Sequence, residues 1–214
     1  MPERLDYAGL LAGITAIIDR TNSGEAGLHV LDSFLGLAER CLDVKGMTFV
    51  ELGRAGGRVI AATGAVRWAL GRPVQLDESG LVCMLTGPRT QTVRPEALDA
   101  ELAQLLRGCG LTGMLMARVE IGKTVIGTMH AHYSQDGQAS PELHAALAYL
   151  AATIAHMYGH QAGLPVHGDG PVVAALTDGL AIVDRDGTVR LWNPAAERLT
   201  DRPAIEALGK PLPF

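Results

Sequence analysis

Residues 112–133, TGMLMARVEIGKTVIGTMHAHY, constrain this chain more than any other stretch. Two runs of aliphatic, β-branched and methionine side chains flank the short IGK, a pattern that predicts a hairpin turning there. A strand with one face in water alternates apolar and polar residues, and these runs hardly alternate. The sheet they enter therefore has both faces covered. The second run closes with His130 and His132. Side chains two apart on a strand leave from the same face, so two imidazoles stand side by side in a segment that otherwise reads as core.

The flanking sequence supplies the covering helices. Residues 5–20 carry Leu11, Ile14 and Ile18 at helical spacing. Asn22 and Glu25, three apart, resemble a capping box for a second helix that runs to about Cys41, with Leu28, Leu31, Leu35, Ala38 and Leu42 on one stripe. MTFVELGRAGGRVIAATG predicts a first hairpin around a Gly-rich turn. Residues 65–110 are irregular, with a short apolar piece, GLVCML, and a helical patch from Pro95 to Arg107 bearing Leu98, Leu102, Leu105 and Leu106. After the polar loop QDGQAS, Ser140 is a good N-cap, Pro141 fits the first helical position and Glu142 suits the positive helix end. Leu143, Leu147, Leu150, Ile154 and Met157 then step by four and three, a heptad-like seam.

AGLPVHGDGP reads as a linker. Beyond it DGLAIVDRDGTVRLWN predicts a hairpin with an Asp-Gly turn, and PAAERLT starts a helix. The order of elements predicts an α+β domain over 1–163 with a mostly antiparallel sheet between helices, a linker over 164–171, and a second unit over 172–214. That last piece is too short to bury a core of its own, so it reads as the front of an incomplete domain.

Composition narrows the function classes. With 48% hydrophobic and 19% charged residues and a net charge of −5, the chain is ordinary for a globular protein. No Lys/Arg cluster tracks a phosphate backbone, so nucleic-acid binding by this segment is not expected. No apolar run reaches the ~18 residues of a membrane span, and the N-terminus does not resemble a secretory signal. Three cysteines, Cys41, Cys83 and Cys109, do not form a disulfide framework. A reduced, cytoplasmic protein is the expectation.

LDESGLVCMLTGPRTQTV, LLRGCGLTGMLMARVEIGKTVIGTMHAHY and SPELHAALAYLAATIAHM, in that order, resemble a GAF domain over residues 5–162. DGLAIVDRDGTVRLWNPAAERLTDRPAIEALGKPLPF resembles the start of a PAS domain, with Asp201 where a Gly often stands. GAF followed by PAS is similar to the sensory front half of histidine kinases, LuxR-type transcription regulators and nucleotide cyclases. The resemblance implies a sensor of a small molecule or partner, with an output domain beyond Phe214. It also implies that ligands lie on the sheet face opposite the terminal helices. Alignment on VIGTM then turns His130, His132 and Thr128 toward the ligand face, and Met129, Ala131 and Tyr133 toward the helices.

Three readings of the histidine pair stay open. The imidazoles hydrogen-bond to nearby backbone or loop groups as part of the structure. Or they meet a small organic ligand, the favoured functional reading. Or they hold a metal or haem, for which a Cys83 or Cys109 thiolate is an available third ligand. Met84, Met114, Met116 and Trp68 are candidates to line an apolar pocket, with plain core packing as the alternative. The same two cysteines raise an enzyme rival: the resemblance also implies a GAF-type free methionine-(R)-sulfoxide reductase, in which one of Cys83 and Cys109 attacks the sulfoxide as a thiolate and the other resolves it, the pair ending as a disulfide. Against it, His130 and His132 replace the acids such an enzyme places there, and no activity is expected. A bilin is not expected either, because the middle segment lacks a His beside Cys109. The helical seam over 143–157 predicts packing within the chain against the first helix, Leu11 to Ile18. It also suggests a homodimer through the terminal helices, with SQDGQAS carrying the ligand signal into Ser140–Met157. A ligand-free dimerisation scaffold is the remaining alternative.

Overall fold

The computed structural model describes residues 5–23, 25, 28–53, 56–74, 86–94, 98, 100–121, 124–134, 139–159, 176–183 and 187–212. Helix α1 (Tyr7–Asn22) begins where the Asp6 carboxylate accepts the Gly9 N–H at 2.8 Å. Its buried stripe is Leu10, Ile14 and Ile17, and Leu11 is 53% exposed. This corrects the expected stripe of Leu11, Ile14 and Ile18 at Leu11; Ile14 is buried and Ile18 is half-buried against the core. Both sets have helical spacing and share Ile14. What chooses between them is Gly13, where a Cβ would stand 2.4 Å from Leu37 Cδ1 of α2 (Leu28–Cys41). The bare backbone at Gly13 lets α2 come close and turns the Leu10 side inward.

Asn22 is the last residue of α1 and does not cap α2. Glu25 instead pairs with Arg20 at 3.3 Å and His29 at 3.0 Å. The cap of α2 comes from far along the chain: the Asp178 carboxylate accepts the Leu28 N–H at 3.1 Å.

Strands β1 (Gly46–Gly53), β2 (Gly56–Ala62), β3 (Pro73–Val74), β4 (Thr90–Val93), β5 (Gly113–Ile121) and β6 (Thr124–Tyr133) form one antiparallel sheet in the order β3-β2-β1-β6-β5-β4. The two predicted hairpins are thus joined through their inner strands, β1 and β6. Residues 54, 55, 122 and 123, at the expected turns, lie outside the described residues.

Both faces are covered, as the apolar strands required. On one side, α1, α2 and α4 (Pro141–Gly159) pack Phe34, Leu35, Leu147, Leu150 and Ile154 against Phe49, Leu115 and Met129. On the other lie a 3-10 helix (Gly64–Ala69) and α3 (Ala100–Gly108), joined through Val66, Leu106 and Leu111. At the start of α4, Ser140 Oγ accepts the Leu143 N–H at 3.2 Å, the predicted cap. The seam residues Leu143, Leu147, Leu150 and Ile154 are buried inside the chain.

The second unit contains an antiparallel pair, β7 (Ala181–Val183) and β8 (Val189–Trp192), then α5 (Pro194–Thr200) and α6 (Ala204–Ala207). Buried Asn193 organises it. Its Oδ1 accepts the Ala196 and Leu180 N–H groups at 2.8 Å, and its Nδ2 donates to the Asp178 carbonyl at 2.9 Å. Leu176 and Leu191 join the main core rather than a separate one. Both expected borders of the linker fall in residues 160–175, outside the described residues. Among the described residues no helix is long and apolar enough to cross a membrane.

Candidate functional site

The histidine pair sits in the middle of the sheet. Met129, Ala131 and Tyr133 belong to the helix-side core, so the alternation along β6 sends Thr128, His130 and His132 to the opposite face. Across the β1 edge, Thr48 is in register with His130, Gly46 with His132 and Val50 with Thr128. Across the β5 edge, Met116 is opposite His130 and Met114 opposite His132. Cross-strand partners share a face, so these side chains make one patch.

Thr48 is the joint of the patch. Its Oγ1 lies 3.1 Å from His130 Nδ1 and 3.2 Å from His132 Nε2. One hydroxyl on the neighbouring strand reaches both rings because they leave β6 two residues apart. The rings themselves stand 6.2 Å apart at 73°.

The 3-10 helix closes over this patch. A Cβ on Gly46 would meet Thr63 O at 2.7 Å and Val66 Cγ2 at 2.8 Å. Only a glycine lets the helix lie down against β1 at the position beside His132. Trp68, on the same helix, packs toward Val50 and Val59 and also toward the Val66–Leu106–Leu111 group. The Arg72 guanidinium covers the indole at 5.1 Å and reaches Glu101 Oε1 of α3 at 3.2 Å. This contact holds the loop after the 3-10 helix to α3.

Burial sets the charge of the pair. It pushes the His130 pKa down to about 4, and it pushes His132 down to about 3, with His130 beside it adding to the effect. Both imidazoles are therefore neutral at pH 7, and each carries one N–H and one lone pair. Two buried polar atoms on this side, His132 Nδ1 and Trp68 Nε1, have no hydrogen-bond partner among the described residues. Neutral imidazole is also the metal-binding form, yet the described residues contain no group of three or more His, Cys, Asp or Glu placed to hold an ion.

The structure thus brings together five residues singled out from the sequence, Thr128, His130, His132, Met114 and Met116, with Trp68 over the same face. Cys109 is exposed just past the end of α3. Cys83 and Met84 lie outside the described residues. Sequence reasoning missed Thr48, Arg72 and Glu101. Thr48 occupies an alternate position of a recognisable strand, but its partner strand is more than 80 residues away, and no local pattern names it.

Comparison with known proteins places both units. A family model described as the PAS fold matches residues 172–213. No curated protein matches the chain. Among solved structures, the phycocyanobilin-bound GAF domain from a cyanobacterial phytochrome aligns with a TM-score of 0.57 at 14% identity, covering 71% of this chain and 96% of that one. A phycoerythrobilin-bound GAF domain from a cyanobacterial phytochrome gives 0.58 at 13%, covering 72% and 98%. The chromophore-binding domain of the bacteriophytochrome RpBphP3 from R. palustris gives 0.58 at 10%, covering 74% of this chain and 62% of that one. At these identities the likeness is one of fold. The chain has the fold of a GAF domain, followed at residues 172–213 by a segment that matches the PAS fold.

Proposed function

We propose that this chain is the sensory region of a cytoplasmic signalling or transcription-regulating protein. In this reading a small organic ligand settles on the sheet face of His130 and His132, and the adjoining PAS unit receives the response. The observation that carries the proposal is the pair of buried, neutral imidazoles sharing one hydroxyl, with His132 Nδ1 and Trp68 Nε1 beside them lacking a partner among the described residues. Folded proteins pair nearly all buried polar atoms, so two orphans on one face of a sheet support a missing partner molecule. The related folds give further support, since two of them hold phycocyanobilin and phycoerythrobilin. The proposal for this chain stays at the class of organic ligand.

The test is a native mass spectrum of protein purified from its own host beside the denatured mass. The expected result is a non-covalent mass on the native chain that His130→Ala removes. A bare native chain would count against the reading. Dimerisation is part of the same proposal, but the heptad-like seam is already used inside the chain. Exposed Tyr7 and Leu11 of α1, with exposed Tyr149 of α4, to whose Glu142 carbonyl the Tyr7 hydroxyl donates at 3.2 Å, are the residues proposed to meet a second copy. The reductase alternative requires Cys83 and Cys109 to act together. Incubation with free methionine-(R)-sulfoxide and dithiothreitol is expected to give no methionine.

A further inference from the structure

The Thr48 hydroxyl lies within hydrogen-bond distance of two ring nitrogens, but it has a single proton. If both nitrogens present lone pairs, one of them goes unpaired. Oγ1 has two lone pairs and can accept from both rings, but the Thr48 proton then has no acceptor among the described residues, so full pairing is reached when one ring donates to Oγ1 and Oγ1 donates to the other. Two such arrangements exist. In the first, His132 Nε2–H donates to Thr48, and Thr48 donates to His130 Nδ1. The His130 proton is then on Nε2, and His132 Nδ1 is a bare lone pair. In the second every proton moves one step: His130 Nδ1–H donates to Thr48, Thr48 donates to His132 Nε2, and His132 Nδ1 carries the proton.

The environment of His132 Nδ1 separates the two. That atom is buried without a partner among the described residues. A buried N–H left unpaired is a heavier penalty than a buried lone pair left unpaired. The first arrangement is therefore the stable one. It leaves the proton on Nε2 of His130, the less deeply buried residue of the two at 9% exposure against 5%.

We propose that Thr48 and His132 are positioning residues that fix His130 as a hydrogen-bond donor, so that the site selects a ligand presenting an acceptor oxygen, a carbonyl or carboxylate, to His130 Nε2–H. A ligand that donates at this point forces both rings into the other arrangement and puts an N–H at His132 Nδ1 that no described residue pairs, so it must bring a second group, an acceptor, to that atom or leave it stranded. Discrimination of about 10-fold or more against such a donor follows from that penalty. This inference rests on the proposed ligand site, but its tautomer claim concerns the protein alone.

The experiment is long-range 1H–15N correlation on the full chain labelled with 15N-histidine at pH 7, without ligand. The expected spectrum shows both His130 and His132 protonated on Nε2. His130 protonated on Nδ1 overturns the proposal. Thr48→Ser keeps the hydroxyl and is expected to keep the pattern, while Thr48→Val releases His130 from it. An unchanged His130 tautomer in a folded Thr48→Val protein overturns the positioning role. Two fragments then probe the ligand side: N-methylpyrrolidone, an acceptor only, and pyrrole, an N–H donor. A shift of the His130 Nε2 resonance by the first at concentrations at least about 10-fold lower than by the second supports the selection. The reverse order overturns it. No response to either fragment, with the tautomers as expected, leaves the relay standing and overturns the ligand site it was meant to serve.

Discussion

Thr48 satisfies two imidazoles with one oxygen, and removing that oxygen is expected to be felt at once. Thr48→Val conserves shape but leaves two buried ring nitrogens unpaired, which predicts a loss of about 1–3 kcal/mol in urea unfolding. Thr48→Ser is expected to retain most of the stability. The same pair gives the fold a pH dependence. The histidines are held down to about 4 and about 3 in the folded chain, against about 6.5 unfolded. Below pH 6.5 the unfolded state binds protons that the folded state refuses, so stability falls as pH drops from 6.5 towards 4, and it is flat above 6.5. Each ring contributes a slope of up to roughly 1.4 kcal/mol per pH unit. Urea midpoints measured from pH 7.5 to 5 are expected to show this, with a shallower fall in His132→Phe. At this scale the sequence was informative where it depended on a period of two: His130, His132 and Thr128 share a face because strand geometry leaves no other choice. Thr48 was beyond reach because β1–β6 pairing joins residues far apart in the chain.

Helix α4 shows how an element is read well and its use less well. Its cap and heptad-like spacing are plain in SPELHAALAYLAATIAHM, and Ser140 does accept the Leu143 N–H. Spacing gives a buried stripe but not what buries it: the expected partner is the first helix over Leu11 to Ile18, and the sheet of the same chain takes that place, with Leu11 left exposed. Leu150→Ala is accordingly expected to cost about 2–5 kcal/mol, and Ser140→Ala about 1 kcal/mol, by chemical denaturation. Tyr149 lies on the outer side, 48% exposed, so Tyr149→Glu is expected to leave stability within about 0.5 kcal/mol. Sedimentation of that variant together with Leu11→Glu tests the proposed dimer face, with a monomer expected. For α1 the sequence suggested a stripe through Leu11, Ile14 and Ile18, and the structure buries Leu10, Ile14 and Ile17. Close approach at Gly13 decided between them, which is a tertiary fact.

On the scale of the molecule, the two units meet through specific contacts. Asp178 caps α2, Leu176 and Leu191 enter the main core, and Ile182 Cγ2 comes within 3.4 Å of a Cβ position on Gly71. Gly71 precedes Arg72, which covers Trp68 above the histidine face. This is a short physical path from the proposed site to the PAS-like unit. The order of units was legible in the sequence, but a cap donated across 150 residues was not. Asp178→Ala is expected to speed amide exchange at residues 28–31 by about 5-fold or more, as expected for a lost N-cap worth about 1 kcal/mol. The proposed ligand settles on the sheet face of His130 and His132, the face that Trp68 also covers. The most direct measurement is a crystal structure of protein purified from its own host. Density for a small molecule with an acceptor oxygen within hydrogen-bond distance of His130 Nε2 is the predicted result. That face covered by the chain's own side chains, with His132 Nδ1 and Trp68 Nε1 both paired to them, would contradict it.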